Sequence, residues 1–204
     1  QNIYSFNMKI AVCSDKFSGT LSSIEVLNII KNEFEKNSIE AMYFPVTDGG
    51  ESSTEILKHY GFKTADSINL EDLSGETVGV ELLRIDNDIF FESSQLIGIN
   101  NTSISSMDLN TSCLSGVINH VDIVGLGGSR TIDGGIGLMS KLGIEFYQKG
   151  NLIENPLPRD FEKISSIKIS KDFKEIEKRI LIDTSIPLLG KNSAIEVFGP
   201  QKGL

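Results

Sequence analysis

The sequence predicts an α/β protein: an incomplete Rossmann-like parallel sheet domain joined to a second, mixed α/β domain. Three observations predict it. Short apolar runs alternate with helically spaced apolar residues up to about Thr64, which is the rhythm of a parallel sheet covered by helices. After Thr64 the texture changes to adjacent strand-like runs joined by a tight turn. Three strand-to-helix loops then share one design, an Asp beside glycine.

Residues 8–14 read as a buried strand. The loop Asp15 to Thr20 follows. A helix begins next, with Ser22 and Glu25 at capping-box spacing and Leu21 and Val26 placed as a hydrophobic staple. Ile24, Leu27, Ile30 and Phe34 carry its apolar stripe. Residues 41–46 form the second strand. Asp48-Gly49-Gly50-Glu51 opens a second helix, again at capping-box spacing, with Ile56, Leu57 and Tyr60 buried and Gly61 as its stop. Residues 77–85 and 89–92 read as an antiparallel pair across Asp86-Asn87-Asp88. The stretch 93–110 is polar and irregular. A helix is expected over 111–119, a buried strand over 120–124 and a helix over 136–142. A strand at 144–147, a loop over 149–159, a strand at 180–183 and a short helix led by Ser193 and Glu196 complete the reading. The predicted organisation is a leader at 1–7, the first part of the Rossmann-like domain at 8–65, and the mixed domain at 66–204.

The chain has 204 residues, 39% of them hydrophobic and 23% charged, a globular balance. Its net charge of −9 argues against nucleic acid or an anionic membrane surface as a partner. No apolar run is long enough to span a bilayer. The expected location is the cytoplasm. Cys13 and Cys113 are far apart and flanked by apolar or small residues, so they read as reduced core thiols. His59 and His120 stand alone, without metal-ligand spacing.

The densest functional signal is Gly125-Leu126-Gly127-Gly128-Ser129-Arg130-Thr131-Ile132-Asp133-Gly134-Gly135. A glycine-dense loop between strand and helix suits an anion, because the backbone can approach closely and free N–H groups face it. It lacks the Lys-Ser or Lys-Thr of a Walker A loop and does not fit the Rossmann dinucleotide spacing. Asp133 suits either a helix cap or a cation. In an open parallel sheet, Asp15 to Thr20, Asp48 to Glu51 and Asp133 to Gly135 would gather at the carboxyl ends of the strands. Converging carboxylates and glycines there suit a metal-bound phosphate, whereas capping alone does not call for doubled glycines. Among the nearby cations Lys16, Arg130, Lys191 and Lys202, Arg130 lies inside the glycine loop and Lys191 reads as a solvated surface charge. No nucleophile elbow is present, so hydrolase chemistry at Thr111, Ser112 or Cys113 is rejected.

Together with these loops, Ser14-Asp15-Lys16-Phe17-Ser18-Gly19-Thr20-Leu21-Ser22, Leu73-Ser74-Gly75-Glu76, Glu92, Pro187-Leu188-Leu189-Gly190 and Phe198-Gly199-Pro200-Gln201-Lys202-Gly203 resemble the bacterial glycerate kinase family. That type is distinct from the P-loop kinases. The resemblance spans 8–204, and it is the order and spacing of the segments that make it specific. It implies ATP- and Mg2+-dependent phosphoryl transfer to a hydroxyl of glycerate. It also implies two α/β domains, the Rossmann-like one assembled from both ends of the chain. On that resemblance Asp15, Asp133 and Arg130 are the expected catalytic residues. Lys16, Ser18, Gly127, Gly128, Ser129, Gly134 and Lys202 are expected at the nucleotide, and Asp48 and Asp133 at the metal.

Departures accompany the resemblance. Family members are about twice as long, so the chain reads as a fragment. The family's Asp-Ser-Phe-Lys-Gly-Ser loop has Lys and Ser exchanged here, at Lys16 and Ser18. Ile132 replaces a usual Asn. Cys113-Leu114-Ser115-Gly116-Val117 replaces Tyr-Gly-Thr-Gly-Glu and loses an acid. Two functions follow from these observations. One is a catalytic glycerate kinase. The other is a non-catalytic remnant that keeps a phosphate surface or pairs with a partner chain, a homodimer being favoured by the exposed edge of a halved sheet.

Overall fold

The computed structural model describes residues 9–17, 19–99 and 102–204. The expected leader and Ser18 lie outside the described residues.

Strand β1 (Ile10–Ser14) leads through a loop to helix α1 (Ser23–Lys36). The capping box forms: the Glu25 amide donates to Ser22 Oγ at 3.2 Å, and the Ser22 amide donates to Glu25 Oε2 at 2.7 Å. Strand β2 (Ala41–Pro45) then pairs parallel with β1, Ile10 opposite Ala41 through Ser14 opposite Pro45. These two strands form a sheet of their own. Side chains alternate across it. Val12 and Tyr43 are half-buried, while Cys13, Met42 and Phe44 are exposed. Cys13 is therefore not a core thiol. Its period-2 position puts it on the uncovered face.

Helix α2 (Ser53–His59) starts later than the Asp48–Glu51 spacing predicts. Its cap is Ser52, at φ 72°, and the carboxylate that serves its first turn comes from Glu92, a distant strand residue. Ile56 is buried as expected, Tyr60 is exposed, and Gly61 ends the helix at φ 91°.

The larger part of the chain is built on strands β3 (Lys63–Glu71), β4 (Thr77–Ile85) and β5 (Asp88–Glu92), successive antiparallel neighbours. The expected hairpin turn is present, with Asp86 at φ 54°. The texture change at residue 65 falls inside β3. After the short helix α3 (Ser94–Ile97), strand β6 (Ile123–Gly125) joins β5 in parallel. Helix α4 (Ile136–Lys141) leads to a separate antiparallel sheet of β7 (Ile144–Gln148), β8 (Asn151–Ile153) and β9 (Ser166–Ile169). Strand β10 (Arg179–Leu181) completes the five-stranded order β10-β6-β5-β4-β3, and helix α5 (Ala194–Phe198) follows.

Phe90 and Phe91 are consecutive yet 1% and 0% exposed, so β5 is covered on both faces. Phe91 joins Val80, Leu82, Leu96, Val117 and Val124 on one side, and Phe90 joins Leu83 and Ile123 on the other. Each such side chain stabilises the fold by about 1.5–3 kcal/mol relative to exposure.

Three further expectations change. The helix expected at 111–119 is a pair of 3-10 turns, Thr111–Gly116 and Ile118–His120. Its first turn is fixed from outside: Asn110 Oδ1 accepts the Ser112 amide at 3.0 Å, and Asp133 accepts the Thr111 amide at 2.8 Å. The strand expected at 120–124 is confined to β6. The loop expected over 149–159 contains β8, reached through a two-residue turn with Lys149 at φ 47° and Gly150 at φ 84°. Among the described residues no helix is long and apolar enough to cross a membrane.

Candidate functional site

Two of the acidic loops meet. The Lys16 ammonium lies 3.8 Å from Asp48 Oδ2 and donates to the Glu51 carbonyl at 3.2 Å. Its side chain is 17% exposed, so this cation is held in a partly dry junction where its charge is weakly screened. Asp48 Oδ1 accepts the Gly50 amide at 2.8 Å, which folds the Gly49-Gly50 turn, while Oδ2 faces Lys16. Asp15 is exposed and accepts the Lys16 amide at 2.7 Å.

The glycines explain how that junction meets the third loop. A Cβ on Gly125 would lie 2.0 Å from the Gly49 carbonyl oxygen, and one on Gly127 would lie 2.7 Å from Gly50 Cα. The two loops are thus packed backbone to backbone. Gly125 and Gly127 serve close chain approach, a different use from the expected approach to a ligand. Glu92 locks the same corner. It is 5% exposed and accepts from the Ser52 amide at 3.0 Å, the Thr54 amide at 2.7 Å and the Ser94 hydroxyl, placing a carboxylate at the start of α2.

Asp133 is 1% exposed, and donors surround it. Its Oδ2 accepts from the Thr111 amide and hydroxyl, both at 2.8 Å, and from the Gly137 amide at 3.0 Å; Oδ1 accepts the Gly135 amide at 3.2 Å. It ties the 3-10 turn to the start of α4. Gly137 sits so close that a Cβ would lie 2.7 Å from the Thr111 and Ser112 amide nitrogens.

The chain's last residues return to the same loop. Lys202 Nζ donates to Ser129 Oγ at 3.1 Å and to the Thr131 carbonyl at 2.8 Å. Burial pulls its pKa below the ordinary lysine value, and the nearby Asp133 charge partly offsets this. Between the glycine loop, β10 and α5 lies a cavity of about 650 Å³, lined by Gly127, Ser129, Asp133, Gly134 and Lys202 among largely apolar side chains.

The glycerate kinase family model matches residues 10–204. This chain belongs to the glycerate kinase family. Glycerate kinase from Neisseria meningitidis serogroup B is 28% identical over 97% of this chain and 57% of its own length. Glycerate kinase from Bacillus cereus is 30% identical over 96% and 56%, and glycerate 2-kinase from Escherichia coli K12 is 29% identical over 96% and 56%. The chain therefore spans a little over half the length of these relatives. A crystal structure from Salmonella typhimurium LT2, provisionally assigned as glycerate kinase 2, matches with a TM-score of 0.66 at 26% identity, covering 97% of this chain and 57% of that one.

Within this glycerate kinase family chain the predicted residues fall into two groups. Lys16 and Asp48 meet at the loop junction beside exposed Asp15. Ser129, Gly134, Asp133 and Lys202 line the cavity, and Gly127 touches both, since it packs on Gly50 and lines the cavity. Gly128 lies against Glu51, where a Cβ would be 3.3 Å from Glu51 Cβ. Arg130 does not line the cavity. Its Nη2 donates to the Ile104 carbonyl at 3.4 Å, and its Nε is buried without a partner among the described residues. Among the described residues no three His, Cys, Asp or Glu side chains group to hold a metal. Lys191 is exposed, as expected.

Residue-by-residue reading did not assign the structural work of Glu92 or Thr111. An acid closing the apolar run of β5 was the signal for Glu92. For Thr111, whose hydroxyl accepts the Leu138 amide while donating to Asp133, the sequence carries no signal.

Proposed function

We propose that the chain provides one wall of a glycerate kinase site, which transfers the terminal phosphoryl group of ATP to a hydroxyl of glycerate. The observation that carries this reading is the loop junction: the Lys16 ammonium beside Asp48, backed by two glycine loops in backbone contact. Family membership supplies the substrate class. Lys16 neutralises charge on the phosphates, and Lys202 with Ser129 holds the glycine-loop side of the nucleotide. Asp15, exposed at the mouth of the junction, accepts the proton of the attacking hydroxyl. Asp133 orients the glycine loop through its four hydrogen bonds, and Arg130 ties that loop to the Ile104 carbonyl.

The partly exposed carboxylate of Asp48 would suit a magnesium ion held mainly by phosphate oxygens, which needs only one or two protein carboxylates. The ion, when bound, neutralises charge on the transferring group. Binding, orientation and proton removal are the work of the chain's own residues. A cytoplasmic location is part of this proposal, since the reaction draws on ATP.

One observation favours a second reading, a remnant without turnover that pairs with a partner chain or a second copy. The β1–β2 sheet leaves Met42 51% and Phe44 37% exposed on one face, and Leu188 and Leu189 are 64% and 81% exposed near the chain end. A coupled ADP-release assay with glycerate decides between the two. ADP should form with the unaltered chain and fall at least about tenfold in Lys16→Met, the scale of one lost transition-state charge contact. ADP release that is absent, or equal in both proteins, rejects the catalytic reading. Sedimentation at rising concentration tests self-association: a growing dimer fraction supports the second copy, and a strict monomer removes it.

A further inference from the structure

The cavity of about 650 Å³ lies apart from the Lys16–Asp48 junction, on the far side of Gly127. It reaches the carboxyl ends of two parallel strands, since Ser93 directly follows β5 and Leu126 and Gly127 follow β6, and Ile180 of the neighbouring β10 lines its side; ligands of open α/β sheets bind at such ends. Its chemistry is uneven. Ile97, Leu114, Ile118, Val124 and Leu138 form an apolar wall. Against that wall the Ser93 hydroxyl, 0% exposed, has no hydrogen-bond partner among the described residues. An orphan buried hydroxyl is costly, and a ligand polar group can satisfy it.

Two ammonium groups also line the space. Lys202 is bound only to neutral oxygens, Ser129 Oγ and the Thr131 carbonyl, and Lys178 donates to the Val121 carbonyl. The carboxylate facing them, Asp133, already receives four hydrogen bonds. The walls therefore suit a body that is largely apolar, with a polar edge at Ser93 and an anionic end toward Lys202. Glycerate does not match, because every one of its carbons carries oxygen and the apolar wall would desolvate it without return.

We propose that this cavity receives the heterocyclic base of a nucleotide, with the Ser93 hydroxyl bonded to the polar edge of the base and Lys202 facing its first phosphate. This rests on the kinase reading and extends it: the base is held on one side of Gly127, and the phosphoryl acceptor is left to the Lys16–Asp48 side.

Adenosine is the decisive probe, since it carries the base but no phosphate to transfer. Calorimetric titration of the 204-residue chain should show adenosine binding, with AMP tighter. Ser93→Ala should weaken both about fivefold to tenfold, the scale of one hydrogen bond. Lys202→Met should weaken AMP and leave adenosine nearly unchanged. Ile180→Trp narrows the cavity from a half-exposed position that tolerates substitution, and it should weaken adenosine at least about tenfold while the circular dichroism melt is kept. No adenosine binding, binding unaffected by Ile180→Trp, or equal binding of indole would overturn the proposal. Adenosine binding without ADP release in the glycerate assay would leave this inference standing and reject the kinase reading. ADP release whose KM for ATP is unchanged in Ser93→Ala and Ile180→Trp would do the reverse.

Discussion

The two-stranded sheet of β1 and β2 and the five-stranded sheet around β5 begin from the same kind of sequence, short apolar strands flanked by helices. They end in different states. Around β5 both faces are covered: Leu83, Phe90 and Phe91 are 0%, 1% and 0% exposed. At β1 and β2 one face packs on α1, while Cys13, Met42 and Phe44 face solvent. The difference teaches that strand propensity and burial are separate properties here. It also places the loop junction at the meeting of a complete core and an uncovered one. Lys16 comes from the uncovered side, and Gly125 and Gly127 come from the covered side.

The largest effect that would sharpen this contrast is Leu83→Ala. Removing a fully buried side chain from the covered sheet should cost about 2–5 kcal/mol in urea unfolding. A loss below about 1 kcal/mol, the range of ordinary surface changes, would mean that the five-stranded core is not the stabilising one. Next comes Gly125→Ala. Its Cβ would meet the Gly49 carbonyl, so the loops must part, at a cost of about 3 kcal/mol. Gly61→Ala is the control, because that glycine also has positive φ but open space around it, and about 1–2 kcal/mol is expected. Glu92→Gln leaves one acceptor for three donors and should cost about 2 kcal/mol, read by the same method.

The two cysteines give a smaller effect, one in each region. Cys13 should react readily with a thiol reagent in the native protein, whereas half-buried Cys113, its thiol pKa raised, should react more slowly. Burial raises the Cys113 thiol pKa from 9.0 to about 11. The folded value lies above the unfolded one, so this group's stabilising contribution is full below pH 9. It is lost as pH rises toward about 11, because the unfolded chain ionises first. Unfolding measured across that interval should decline more steeply for the unaltered protein than for Cys113→Ala. The smallest change is Phe44→Ser on the uncovered face, expected within about 0.5 kcal/mol. A large loss there would show that the face is covered in solution.

Much of the scaffold was legible in the sequence, because its signals are local. The Ser22–Glu25 capping box, the Asp86 turn and the Gly61 stop each depend on a few neighbouring residues. What was hidden depends on distant partners. Asp48 and Glu51 have capping-box spacing, but Glu92 reaches α2 from β5 and takes the role. Residues 111–119 have helical spacing, but Asp133 and Asn110 fix their first turn as 3-10. Strand β9, Ser166-Ile167-Lys168-Ile169, does alternate polar and apolar residues, but four residues are too few to mark a strand apart from its pairing with β7. The density of glycines marks residues 125–135 as a candidate ligand loop. Its packing against Gly49 and Gly50 could not be seen without the fold, since a glycine that admits a ligand and one that admits a backbone look alike in sequence.

The claim on which the functional account turns is that a junction built from both regions supports phosphoryl transfer from ATP to glycerate. Phosphorus NMR of the chain with ATP, magnesium and glycerate tests it directly. The account predicts a growing phosphomonoester resonance matched by ADP, and suppression of both in Lys16→Met. ATP resonances that stay unchanged beside the unaltered protein would contradict it.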